Sequence, residues 1–76
     1  MDAITRETLL SYGEDVSVPG SIAVTVQRGR YAVNVHQEAG VYVILFTEAD
    51  NEYTLVDVCT NAADLLQECR EWLGVE

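Results

Sequence analysis

Lysine is absent from this chain of 76 residues, and with it most of the positive charge that a folded domain usually carries. Four arginines, Arg6, Arg28, Arg30 and Arg70, face thirteen Asp and Glu, for a net charge of −9. Such a surface repels nucleic acid and anionic lipid and steers the chain toward basic partners. An acidic, lysine-free surface also suits solvation in a salt-loving or GC-rich organism, so acidity alone names no partner. Long apolar runs are missing as well. None approaches the roughly 20 residues of a bilayer span. The first residues, Met1-Asp2-Ala3-Ile4-Thr5-Arg6, lack the basic-then-apolar layout of a signal peptide, and the expected location is cytoplasmic.

Reactive side chains are equally scarce. The only histidine, His36, falls mid-strand on the more polar face and has no nucleophile or orienting group at a recognisable spacing. A structural zinc site uses about four Cys or His ligands, and the chain has three in all, with no pair at metal spacing. The run Glu48-Ala49-Asp50-Asn51-Glu52 lacks the turn glycine and the oxygen periodicity of a calcium loop. The five glycines are scattered, so no phosphate-cradling loop is formed. Carboxylates are plentiful but fall in turns or on a helix surface, where nothing is expected to raise the pKa of a general acid. Neither an enzyme nor a bound cofactor or metal is expected.

About half the residues are apolar, which argues for a folded chain, and the length allows one domain over residues 1–76 with one modest core. The clearest element is a C-terminal helix. Ala62, Leu65, Leu66, Cys69, Trp72 and Leu73 recur at helical spacing, Thr60 or Asn61 can cap the start, Asp64 sits at a capping-box position and Gly74 ends the run. Before it come segments that alternate with period two: Ile22 to Val26, Tyr31 to Val35 and Tyr53 to Cys59. Arg28-Gly29 makes a tight hairpin turn between the first two. Val41 to Thr47 is apolar on both faces, as in a central strand covered on both sides. Thr5 to Tyr12 suits a short helix capped by Thr5 and ended by Gly13, and Val16 and Val18 suggest a brief edge strand before a Pro19-Gly20 turn of type II. The predicted fold is α+β: an antiparallel meander of four, or with that edge five, strands, a C-terminal helix on one face and a short N-terminal helix or extended segment. Cys59 at a strand end and Cys69 two turns into the helix place their Cα atoms on the order of 10 Å apart, too far for a disulfide.

Two surfaces follow from this layout. Asp64, Glu68 and Glu71 fall at i, i+4 and i+7 on the helix, an acidic stripe beside Arg70 without a pairing lysine. Such a stripe can imitate a row of backbone phosphates, or it is an ordinary solvated face. The second surface is the side of the sheet away from the helix. If Val56 and Val58 face the helix, then Tyr53, Leu55, Asp57 and Cys59 point away, together with one row of Val41 to Thr47. Either the N-terminal segment covers this side through Ile4, Leu9 and Leu10, or another chain does, a homodimer included. Aromatic residues such as Tyr53 would anchor that contact. Arg28 and Arg30 form the one basic spot.

With its lysine-free acidic composition, its small size and a strand meander closed by the helix Thr60-Asn61-Ala62-Ala63-Asp64-Leu65-Leu66 through Glu71-Trp72-Leu73, the chain resembles the small phage-encoded anti-CRISPR proteins. The resemblance covers size, charge and element order. It implies an inhibitor that binds a protein with a basic nucleic-acid-binding groove, without touching nucleic acid or membrane itself. The acids to meet that groove would be Asp64, Glu68 and Glu71 with Glu48, Asp50 and Glu52. An immunity protein or antitoxin against a basic nuclease, and a sheet-dimerising structural domain of a halophile, remain as alternatives.

Overall fold

In the computed structural model, residues 1–50 and 54–76 are described in full, and residues 51–53 by their place in a strand alone. Helix α1 spans Ala3–Leu10 and is followed by strands β1 (Glu14–Asp15), β2 (Val24–Arg28), β3 (Tyr31–Glu38), β4 (Val41–Glu48) and β5 (Asn51–Cys59). Helix α2 (Ala62–Leu73) closes the chain. The strands form one antiparallel sheet in chain order, the five-stranded form of the expected meander.

Local chemistry accounts for the boundaries. The Asn61 side chain accepts a hydrogen bond from the Asp64 amide at 2.9 Å and gives one to the Asp64 carboxylate, which closes the first turn of α2. Gly74 ends that helix in the left-handed conformation, with φ of 72°. Helix α1 starts earlier than expected, because Asp2 and not Thr5 is its cap. The Asp2 carboxylate accepts from the Thr5 amide at 2.8 Å, and Thr5 is buried within the first turn. The expected strand at Val16 and Val18 is instead the two-residue β1 just before them, and both valines are exposed. Ile22 likewise falls outside β2 and is 85% exposed.

The core lies between one face of the sheet and both helices. Val24 and Val26 of β2, Val33 and Val35 of β3, and Tyr42, Ile44 and Phe46 of β4 meet Leu9 of α1 and Leu65, Cys69 and Leu73 of α2. Helix α2 packs mainly against β3 and less on β4 and β5. Trp72 anchors it there: its indole N–H donates to the Thr47 carbonyl at 3.0 Å, and its ring lies 5.4 Å from those of both Tyr31 and Phe46.

Two expectations about coverage are overturned. Strand β4 is covered on one side only, with Leu45 on the open side 36% exposed. Helix α1 does not cross that open side. It sends Leu9 into the same core as α2 and leaves Ile4 at 78% exposure, because one sheet face offers room for both helices.

Candidate functional site

The offset of α2 toward β3 leaves a groove between the helix and the edge strand β5. The phase of β5 is opposite to the one expected. Register places Cys59 beside Tyr42, Asp57 beside Ile44 and Leu55 beside Phe46, all on the helix side, while Val56 and Val58 point to the open side. The row Val24–Val35–Ile44 therefore ends on Asp57, where the sheet emerges from under the helix. An acid is tolerated at that position because it is exposed to water.

From the helix side, Asp64, Glu68 and Glu71 turn toward the same groove. With Asp57, Cys59 and Gln67 they line a hollow of about 420 Å³. It adjoins a second hollow of about 280 Å³ formed by Phe46, Leu55 and Trp72, with Glu68 and Glu71 on the boundary between the two. The groove is thus acidic toward the start of the helix and apolar toward its end. No basic residue lines either hollow among the described residues.

Crowding of like charges alters the titration of these groups. Glu68 is held above its ordinary range, chiefly by its hydrogen bond to Asp57, with burial and the charges of Asp57 and Asp64 acting in the same direction. Asp57 is held below its range by that same contact and by the Val58 amide, which donates to it at 2.8 Å. As pH falls, the pair therefore takes up its first proton at Glu68 rather than at Asp57. The expectation that nothing would raise a carboxyl pKa is therefore corrected. The Cys59 thiol is buried and donates to Glu68. Burial first, then the Glu68 contact and the surrounding carboxylates, push it up to about 12. Cys69, inside the core, is pushed up to about 12 mainly by burial. Both cysteines are free. A thiol so far from ionisation is a poor nucleophile.

Asp57, Cys59 and Glu68 bring three ligand atoms within 4.8 Å of one another. This is fewer than the four protein ligands of a structural zinc site, and the sulfur would first have to lose a tightly held proton. The arrangement is better suited to accepting hydrogen bonds from a cationic side chain, which would relieve the repulsion among its carboxylates.

The other acids expected at the site lie elsewhere. Glu48 and Asp50 sit at the β4–β5 turn, where Arg30 of the β2–β3 turn reaches them at 3.0 and 2.7 Å. Arg30 is thus engaged by acids of its own chain. Glu52 and Tyr53 lie outside the described residues. His36 is at the surface beside Glu38, at 3.3 Å. Asp57, Cys59 and the Leu55–Trp72 end of the groove were not expected at the site. The signal for them was Asp57-Val58-Cys59 at a strand end, whose alternation reads equally well in either phase.

Comparison with known proteins finds no family model that matches this chain, and no curated protein or solved structure that matches it at a significant level.

Proposed function

We propose that this chain is a non-enzymatic acidic inhibitor that seats in the basic nucleic-acid-binding groove of a partner protein and blocks it by charge mimicry. The observation that carries this is the convergence of Asp57, Asp64, Glu68 and Glu71 on one groove lined, among the described residues, by no cation. Like charges at helical spacing cost each other a few tenths of a kcal/mol, so folding alone gives no reason to gather them. Guanidinium or ammonium groups that normally hold phosphates would find an equivalent row of oxygens here. The neighbouring apolar hollow at Leu55, Phe46 and Trp72 adds a contact that phosphates do not offer, and it favours a protein surface as the partner.

The test is capture of the partner from the native host by the wild-type chain, followed by a competition assay on the captured protein. The wild-type chain should displace nucleic acid from that protein, and raising salt should weaken the displacement. The near-isosteric D64N/E68Q/E71Q variant should compete poorly, and D64K/E68K/E71K not at all, with unchanged circular dichroism. Competition that survives the charge reversal and ignores salt would rule out charge mimicry.

A further inference from the structure

We propose that the face of the sheet away from the helices is the interface of a symmetric dimer of this chain. Its centre is apolar and continuous: Val43 pairs with Val58 and Leu45 with Val56 across β4 and β5. Leu45, Val56 and Val58 are 36, 61 and 54% exposed. Among the described residues no element covers them, since α1 and α2 share the opposite face.

Charge selects the occupant. A chain of net charge −9 repels its own copy across most of its surface. The open face is the exception. Its inner positions on β2 and β3 are Thr25, Asn34 and His36, and among the described residues strand alternation leaves acids only at its margins, Glu14 on β1 and Glu38 at the end of β3. A basic partner is drawn to the acidic groove on the other side, whereas the described acids of this face lie only at its margins and give such a partner little to pair with.

Area and symmetry agree. The five strands hold 32 residues, and at about 3.3 Å per residue and about 4.8 Å between strands they give a face of roughly 500 Å² in plan before side-chain relief is counted. A standard interface uses about 800 Å² per partner. Two copies of one sheet pack face to face at about −30°, and a two-fold axis requires only that the patch be complementary to itself, as a flat apolar patch is. The dimer would leave the two acidic grooves on its outer sides, and it forms whatever occupies them.

Sedimentation equilibrium tests this. The wild-type chain is expected at twice its 8.4 kDa mass at tens of micromolar. Added salt should tighten the dimer by screening the repulsion between copies, opposite to its effect on a basic partner. V56K/V58K should weaken association by roughly 100-fold or more, because it buries unpaired charge, with unchanged circular dichroism. Isotope-filtered NOEs between labelled and unlabelled wild-type copies, needing no variant, should connect the methyls of Leu45, Val56 and Val58. A wild-type chain that stays monomeric at millimolar concentration overturns the proposal. So does a dimer whose intermolecular NOEs fall on α2 or the acidic groove.

Discussion

Asp57 and Glu68 meet at the mouth of the groove with their pKa values moved in opposite directions, and the sign of each shift sets a pH window. Glu68 is raised from 4.5, so its contribution to stability is present in acid and is lost as pH rises through its folded-state value. Asp57 is lowered from 3.8, so its contribution is present above that value and is lost as pH falls through its folded-state value. Together the pair favours the fold most between 3.8 and 4.5, and the part contributed by Glu68 is lost as pH rises above that window. Glu68→Gln keeps a donor to Asp57 and removes the repulsion. At pH 7 it should stabilise the chain by on the order of half a kcal/mol, the size of an exposed charge pair, and raise the thermal midpoint by about 2 to 4 °C. Thermal unfolding from pH 4 to 8 checks this: the wild-type midpoint should fall toward neutral pH more steeply than that of the variant. Neither the place of Asp57 nor the shift of Glu68 was legible beforehand, because the pairing depends on Asp57 and Glu68 meeting across two elements.

At the scale of elements, α2 was legible to within a residue or so at each end. Its apolar stripe, the Asn61 cap and the Gly74 stop are all local, and local hydrogen bonds decide them. Strand β5 was legible as a strand but not in its phase. Residue alternation marks the buried side only where one side is well buried, and on β5 Leu55, Val56 and Val58 are all more than 40% exposed. The join between α1 and β1 holds a further feature that sequence does not reveal. Gly13 lies so close to β2 that a Cβ there would stand 2.4 Å from the Gln27 carbonyl oxygen and 3.1 Å from a Val26 methyl. The nearest atom is backbone within the sheet and cannot swing aside. Gly13→Ala should therefore destabilise the chain by about 1 to 3 kcal/mol, read as a lowered urea midpoint. It should also deprotect the amides of β1 ahead of those of β3. An unchanged midpoint would show that α1 and β1 can withdraw without loss.

Over the whole molecule, electrostatics is the dominant long-range force. The longest dimension is 32 Å, and at 0.01 M salt the Debye length of about 30 Å lets nearly every acid sense the others. At 1 M salt that length is about 3 Å and only contacts survive. Urea unfolding should therefore show stability rising with sodium chloride, by on the order of 1 kcal/mol between these limits. Most of the gain should come below about 0.2 M, where the screening length changes fastest in absolute terms. A flat response would mean that folding brings the acids no closer on average than they are in the unfolded chain. Among the described residues no helix is long and apolar enough to cross a membrane.

Sequence by itself determined the α+β class, the meander, the C-terminal helix with its caps, and the acidity of the chain. Each of these rests on composition or on contacts within a few residues. Tertiary structure decided which side of β5 meets the helix, that Asp57 and Cys59 join Glu68 and not the turn acids Glu48 and Asp50, and that α1 leaves the far face of the sheet open. These outcomes depend on where α2 settles across the sheet. Its position is set by how Trp72 packs against Tyr31 and Phe46 and reaches the Thr47 carbonyl, contacts between residues too far apart in the chain for any local pattern to encode.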